Sequence, residues 1–225
     1  MARLLLASRG IPDLAGLLGG PDPGPGRSCG RDAGPRRGRG RGREAVLIPD
    51  AADPLEDPGI PDEVERELRR AGLRVTRLAL AGATRVMTRK AVGAADVVAV
   101  SGGDPFHLLA VARRAGFGDA ARAALESGAV YVGYSAGAMV AGPTLEPLSL
   151  TSPFTPPPGL ELTGLGLVDV LILPHDDHAG RHDRHSAALA TFGDRVRLIP
   201  LRDGDVLVHD DGRGSVRRLS RLPPA

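Results

Sequence analysis

AVYVGYSAGAMVAG, residues 129–142, is the stretch that predicts the fold of this chain. Its first four residues are typical of a buried strand, and its last residues are small and favour a helix. Between them lies Ser135, with Gly133 and Gly137 two positions away on either side. A G-x-S-x-G sequence between a strand and a helix is typical of a nucleophile elbow, a sharp turn that exposes the serine oxygen at the end of a sheet. The stretch therefore predicts an α/β sheet that carries a nucleophilic serine.

The composition favours one α/β domain. At 225 residues the chain is long enough to bury a large core, and 42% of it is apolar although only 3% is aromatic. Such a core is built from aliphatic side chains, which suits parallel strands covered by helices. The single cysteine, Cys29, excludes a disulfide framework. No apolar run is long enough to cross a membrane, and residues 4–7 are too short for a signal peptide, so we expect a soluble cytoplasmic protein.

The positive charge of the chain is concentrated in one stretch. Residues 27–43 contain seven arginines and one acid, and without them the chain has 22 basic and 26 acidic residues, a net charge of −4. Because residues 19–43 are rich in proline, glycine and arginine without a hydrophobic period, we predict a disordered insertion there. RNA binding through the arginines of residues 36–43 is a weaker alternative, since no aromatic side chain stands among them to stack on bases. We otherwise expect neither a nucleic-acid nor a membrane partner.

Apolar runs that alternate with helical patterns predict the remaining elements. Strands are predicted at 3–7, 45–48, 73–80, 96–100, 129–132 and 167–173, and short closing strands at 196–199, 206–208 and 215–219. Helices are predicted at 61–71, 106–115 and 119–127, with a helical turn near 13–18. The residues between 80 and 94 are predicted to form only a short polar segment. This order predicts a single three-layer domain over residues 1–225, with a mostly parallel sheet, helices on both faces and an antiparallel finish.

A nucleophilic serine needs a base, and the base needs an acid that orients it. His175 directly follows an apolar strand and is therefore predicted at the end of the sheet where ligands bind in open α/β folds. Asp203 is a candidate for the acid. An equal alternative is that Asp203 is an ordinary turn residue before Gly204, without a catalytic role. Three further carboxyl groups lie between the serine and the histidine, where an α/β-hydrolase carries its acid: Glu146, Glu161 and Asp169. Two other histidines are predicted to be surface residues: His107 and His209.

Four segments together resemble the aspartyl dipeptidase (peptidase E) family of serine peptidases, whose relatives include the cyanophycinases. The segments are VSGGDPFHLL at 100–109, GYSAGAMVAGP at 133–143, LILPH at 171–175 and PLRDG at 200–204. The resemblance extends from residue 4 to about residue 208, except for 19–43, and implies a class I glutamine amidotransferase-like fold. It implies a catalytic triad of Ser135, His175 and Asp203. It also implies an oxyanion hole formed by the backbone N–H groups of Ala136 and of Gly102 or Gly103. The family carries glutamate at the acid position, for which aspartate is a shorter equivalent.

Departures from the family pattern concern the substrate. Asp104 stands where the family usually carries asparagine and adds a negative charge near the predicted site. Residues 150–152 contain no acid, although peptidase E has an aspartate in this loop. Arg181 and Arg184 are loose matches to the arginine expected to hold a substrate carboxylate. The resemblance therefore implies a small peptide substrate and no cofactor, and it leaves the preference for an N-terminal aspartate open.

Two alternatives from other functional classes remain. A metal-dependent hydrolase would use the ligand-type residues of the segment 175–185, which are His175, Asp176, Asp177, His178, His182 and His185. A non-catalytic relative would bind a ligand on the same fold, an alternative that Asp104 and the missing loop acid keep open. A glutamine amidotransferase is disfavoured, because position 135 is serine and Cys29 lies in the arginine-rich stretch.

Overall fold

The computed structural model describes residues 2–19, 43–55, 57, 59–210 and 213–218. The predicted insertion therefore lies outside the described residues, apart from its two ends, and so do Cys29 and residues 36–42 of the arginine stretch. Arg43 donates from Nη1 to the carbonyl oxygen of Leu18 at 2.8 Å, a bond that joins the described chain on either side of the insertion.

The main sheet is mostly parallel. Its strands are β1 (Arg3–Ala7), β2 (Glu44–Ile48), β3 (Arg74–Arg77), β4 (Val97–Val100), β5 (Val130–Tyr134), β8 (Asp205–Asp210) and β9 (Arg213–Arg218). The strands β6 (Val170–Pro174) and β7 (Arg197–Leu201) lie outside it. They lie in the order β3-β2-β4-β5-β1-β8-β9. The first five strands pair in parallel, whereas β8 is antiparallel to both β1 and β9. The predicted parallel sheet with an antiparallel finish is confirmed.

Helices cover both faces of this sheet. They are α1 (Leu14–Leu18), α2 (Gly59–Arg70), α3 (Arg85–Ala94), α4 (Pro105–Arg114), α5 (Phe117–Glu126), α6 (Ala136–Val140), α7 (Leu148–Thr151) and α8 (Arg181–Phe192), with 3-10 turns at Asp50–Leu55 and Leu80–Gly82. Along β1, Leu4 and Leu6 pack with the α3, α4 and α5 side chains, whereas Leu5 and Ala7 pack with α1 and α2. A strand buried on both faces has to be continuously apolar, as residues 4–7 are. Among the described residues, no helix has both the length and the apolar character needed to cross a membrane.

The strand β7 is the main correction to the predicted topology. It spans Arg197–Leu201 and pairs in parallel with β6 (Val170–Pro174), so that these two strands form a separate sheet instead of joining the closing strands. Strand pairing is a contact between distant parts of the chain, and the apolar pattern of a short strand does not encode its partner. The pairing matters for function, because it brings the residues after β6 next to those after β7.

Three local predictions are also wrong. The segment between residues 80 and 94 contains the helix α3, which buries only a narrow face, chiefly Thr88 and Val92, and exposes Val86 and Met87. The strand predicted at 73–80 ends at Arg77, because the Asp50 carboxylate accepts hydrogen bonds from the backbone of Leu80 and its neighbour and fixes a 3-10 turn there. The predicted surface residue His209 is only 8% exposed, since it lies on β8 between two other strands.

The carboxyl ends of the central strands meet at one edge of the molecule. β5 pairs with β1 through Tyr134 and Ala7, and with β4 through Gly133 and Val100. The residues that follow the ends of β1, β4 and β5 therefore begin the loops at this edge. Among parallel strands, this edge is the usual place for ligands.

Candidate active site

The turn after β5 has the strained geometry of a nucleophile elbow. Ser135 has φ 46° and ψ −105°, a conformation that side-chain-bearing residues rarely adopt. Glycine is required on both sides of it: a Cβ on Gly133 would lie 2.7 Å from the backbone nitrogen of Ala138, and one on Gly137 would lie 2.3 Å from the carbonyl oxygen of Val100. These close approaches place the Ser135 side chain at the carboxyl edge of the sheet.

A chain of hydrogen-bond contacts connects Ser135 to an acid. Ser135 Oγ lies 3.2 Å from His175 Nε2, and His175 Nδ1 lies 2.7 Å from Asp203 Oδ1. When Nδ1 carries the proton and donates it to the carboxylate, Nε2 has a free lone pair that faces the serine oxygen. Burial by itself would raise the pKa of Asp203, but hydrogen bonds from His175, Ser8 and His178 outweigh it and hold that pKa well below its usual value. The acid is therefore ionised, as an orienter of the imidazole must be.

Of the four candidate acids, Asp203 is the one whose carboxylate contacts His175. Ser135, His175 and Asp203 lie in the loops after three different strands, β5, β6 and β7. The pairing of β6 with β7 brings His175 and Asp203 together. Asp169 precedes β6 at its opposite end, 4.0 Å from His209, and is no partner of His175. Glu146 lies 3.9 Å from Arg195, and Glu161 is exposed in a loop.

Ser8 is a member of this cluster that the sequence analysis missed. It follows β1, is 1% exposed, and donates its hydroxyl proton to Asp203 Oδ1 at 2.7 Å. Ser8 Oγ also accepts the backbone N–H of His175 at 2.8 Å. Ser8 thus fixes both the acid and the backbone of the base. The available signal was a polar residue directly after the strictly apolar run of residues 4–7.

The other carboxylate oxygen of Asp203 contacts a second histidine. His178 Nε2 lies 2.9 Å from Asp203 Oδ2, and the His175 and His178 ring centroids are 5.0 Å apart. The backbone N–H of Asp203 donates to Asp177 Oδ1 at 3.0 Å. Both oxygens of the carboxylate are therefore held by groups from the loops after β1 and β6.

The glycine turn after β4 lies against the serine. A Cβ on Gly102 would come within 3.4 Å of Ser135 Cβ. Gly103 has φ 139°, and a Cβ there would lie 1.9 Å from the carbonyl oxygen of Ala51, so only glycine fits. Ala136 begins α6 directly after the serine. The backbone groups predicted to form an oxyanion hole are thus gathered beside Ser135.

Two of the three predicted substrate-binding side chains do not line the cavity at the site. Asp104 caps α4 by accepting the backbone N–H groups of Phe106 and His107 at 2.8 and 3.2 Å, which explains an aspartate after the paired glycines. Arg184 is exposed and donates to the carbonyl oxygen of Gly180. Arg181 does line the cavity, and donates from Nη1 to the carbonyl oxygen of Thr151 at 2.8 Å. Burial, and then the charge of Arg184, lower the pKa of Arg181.

The cavity has a volume of about 510 Å³ and opens over Ser135 and His175. Apolar side chains form much of its wall, among them Leu55, Ile60, Val64, Met139 and Phe154. Glu67 lines one side and accepts the Tyr134 hydroxyl at 2.8 Å and the Ile11 N–H at 2.9 Å, and burial raises the pKa of Glu67. A mostly apolar cavity with a few fixed polar groups is the usual form of a small-molecule site.

His185 also lines the cavity, although the sequence analysis named it only among the ligand-type residues of the segment 175–185. Its side chain is 2% exposed, and Nδ1 lies 2.9 Å from Asp176 Oδ1. Burial lowers the pKa of His185 more than the contact with Asp176 raises it. The exposed His182 contacts the same carboxylate at 3.3 Å.

The ligand-type residues of the segment 175–185 therefore do not form one cluster. His182 and His185 contact Asp176, whereas His175 and His178 contact Asp203. Within the described residues, the group with metal-ligand spacing consists of His175, His178 and Asp203. Two of its members are also the predicted base and acid.

Comparison with known proteins gives the family. The model of peptidase family S51 matches residues 36–217. The chain belongs to peptidase family S51. Peptidase E of Citrobacter koseri is 39% identical over 133 residues, which are 56% of this chain and 57% of that protein. Peptidase E of Salmonella arizonae is 31% identical over 179 residues, 76% of this chain and 75% of that protein.

A solved structure shows that the fold of this S51 member is shared. A Listeria monocytogenes protein that carries the peptidase E designation superposes with a TM-score of 0.78, covering 98% of this chain and 100% of that chain at 21% identity. The resemblance to the aspartyl dipeptidase family and the predicted α/β class are confirmed. The family assignment makes the chain a peptidase.

Proposed function

We propose that this S51 peptidase is a serine-type hydrolase that cleaves small peptides through an acyl-enzyme on Ser135. The observation that carries the proposal is the continuous contact from Ser135 Oγ to His175 to Asp203, at 3.2 and 2.7 Å. A strained serine, an imidazole on its oxygen and an ionised acid behind the imidazole are the parts that activate a serine nucleophile.

The reaction follows from this geometry. His175 Nε2 takes the proton of Ser135 as Oγ bonds to the carbonyl carbon of the substrate. The backbone N–H groups of Ala136 and of Gly102 or Gly103 stabilise the negative charge that develops on the carbonyl oxygen. His175 then protonates the leaving amine as the C–N bond breaks, and Asp203 stabilises the transient imidazolium. A water molecule, deprotonated by His175, releases the acyl group.

The cavity supports a small peptide as the substrate. Its volume of about 510 Å³ suits a ligand of a few residues and not an extended chain. Arg9 and Arg181 both line the cavity, and the guanidinium group of Arg181 has donors beyond the one bound to Thr151 for a substrate carboxylate. Arg184 and Asp104 have no part in this proposal, because their side chains are engaged elsewhere. A dipeptidase is the form of the activity that fits the cavity and the family.

The test is reaction with a fluorophosphonate, which forms an Oγ–P bond and releases fluoride only at an activated serine. Wild-type protein should be labelled, whereas Ser135→Ala and His175→Ala should not. Circular dichroism has to show that both variants are folded. Folded wild-type protein that is not labelled would contradict the proposal and favour the non-catalytic, ligand-binding alternative.

A further inference from the structure

The triad acid of this molecule has one more imidazole than the proposed reaction uses. Asp203 Oδ1 contacts His175, and Oδ2 contacts His178 at 2.9 Å. The His178 side chain is 50% exposed, so the cluster is open to solvent on this side. Nothing in the proposed acyl transfer requires a second histidine on the acid.

The three groups have the composition of a transition-metal site and lie close enough together to form one. One nitrogen of each imidazole and one oxygen of Asp203 lie within 4.8 Å of one another. Ligand atoms around a tetrahedral zinc ion are about 3.3 Å apart, given bond lengths of about 2.0–2.2 Å. Two imidazoles and one carboxylate form a typical ligand set for zinc, with the fourth position left for water or substrate.

The surroundings support the ligands as they would in a metal site. Ser8 donates to Asp203 Oδ1 at 2.7 Å, and the backbone N–H of His175 donates to Ser8 at 2.8 Å. The Asp203 backbone is fixed by Asp177 at 3.0 Å, which also brings a further negative charge to the cluster. Such outer contacts orient ligands before the ion arrives.

We propose that His175, His178 and Asp203 bind a divalent zinc ion that switches the peptidase off. Metal occupancy and triad geometry exclude each other, because both use His175 and the Asp203 carboxylate. A zinc ion on His175 Nδ1 requires a lone pair there, so the ring proton has to move through solvent to Nε2. The Nε2 atom then carries a proton and has no lone pair to accept the proton of Ser135. A zinc ion on Nε2 would block the same lone pair directly.

The binding of zinc is tested without reference to catalysis. Isothermal titration of the full-length protein with zinc chloride should give one ion per chain, and Ser135→Ala should bind it equally well. His178→Ala should bind it at least about 10- to 100-fold more weakly, because even the loss of a supporting contact costs that much in metal sites. The matched control is His182→Ala, which should bind zinc as the wild type does. His182 is a histidine of the same segment, but it contacts Asp176 and not Asp203. Equal zinc affinity of His178→Ala and the wild type would overturn the site.

The inhibitory effect rests on the proposed function and is tested separately. Zinc should slow fluorophosphonate labelling of the wild type, and EDTA should restore the rate. For His178→Ala, compared with its own metal-free rate, the zinc concentration that halves labelling should rise in parallel with the loss of affinity. Faster labelling with zinc, or inhibition that is unchanged in His178→Ala, would overturn the switch. If the wild type is never labelled yet binds zinc through His178, the peptidase mechanism fails while the metal site stands.

Discussion

Two clusters of one carboxylate and two histidines lie within the described residues, and of these two only the first contacts Ser135. In the first cluster Asp203 contacts His175 and His178, and in the second Asp176 contacts His182 and His185. Both draw their histidines from residues 175–185. The first cluster also contains Ser8 and lies 3.2 Å from Ser135 Oγ, whereas the second provides a buried wall of the cavity through His185. A histidine–aspartate pair is therefore a candidate catalytic pair only where the ring nitrogen that does not contact the carboxylate faces a serine oxygen, as His175 Nε2 does.

The largest expected difference between the clusters is in their acids. Asp203→Asn should lower the rate of labelling and of peptide hydrolysis by about 10,000-fold, because an amide at this position stabilises the wrong tautomer of the base. Asp176→Asn changes the contacts of His185 in the cavity wall and of the exposed His182, neither of which contacts Asp203, so it should raise KM more than it lowers kcat. Steady-state kinetics on both variants measures the difference. Equal losses in kcat would abolish the distinction between the two clusters.

A smaller loss of activity is expected from a change at Ser8, which donates a hydrogen bond to the carboxylate of the first cluster. Ser8→Ala removes a hydrogen bond to a charged carboxylate, a bond that contributes about 1.5–3 kcal/mol, so kcat should fall about 10- to 100-fold. The substitution also leaves the His175 backbone N–H without its partner. The decrease should appear in kcat rather than in KM, in a variant whose thermal unfolding shows that it is folded at the assay temperature. An unchanged kcat would show that Asp203 and His175 hold their positions without Ser8.

The smallest expected effect is on how the free energy of unfolding changes with pH. Burial lowers the pKa of His185 below its usual 6.5, despite the neighbouring Asp176, with Arg181 and His175 as the other nearby charges. The unfolded chain therefore binds the proton more readily, and the stability contributed by neutral His185 is lost as pH falls below 6.5. Asp203, whose pKa is also lowered, contributes stability that is lost only as pH falls below 3.8.

The two pH windows can be separated by urea unfolding. Between about pH 7.5 and pH 5, the free energy of unfolding of the wild type should decrease, and that of His185→Gln should decrease less. Only the change with pH is compared, because the substitution also alters packing at a buried position. The same pH dependence in both proteins would show that His185 is not held neutral by burial.

The sequence located the candidate triad through three different signals: the G-x-S-x-G motif at Ser135, the apolar strand directly before His175, and the family resemblance, which implied Asp203 as the acid. Ser135, His175 and Asp203 stand after β5, β6 and β7, where a parallel arrangement brings loop residues to one edge. Ser8 directly follows β1, but a lone serine after a strand carries no motif. Its contact with Asp203 depends on the long-range pairing of β1 with β8, which begins two residues after Asp203. The catalytic roles of all four residues stay predictions, as do a cytoplasmic location and independence of a cofactor.

The remaining errors have local physical causes. Arg181 and Arg184 are three residues apart on α8, so sequence similarity to a family motif did not distinguish the one that lines the cavity from the exposed one. Asp104 suggested a charge at the site, whereas two backbone N–H groups of α4 hold its carboxylate. The helix α3 was missed because Val86 and Met87, its first large apolar residues, face outward.

The central claim is that Ser135 is the nucleophile and that His175 activates it. The most direct measurement is mass-spectrometric mapping of the phosphonyl group on wild-type protein after reaction with the fluorophosphonate, with His175→Ala in parallel. One phosphonyl group per chain is expected, located on the peptide that contains Ser135, and none is expected on His175→Ala. A phosphonyl group on another residue, or labelling that is unaffected by His175→Ala, would contradict this claim.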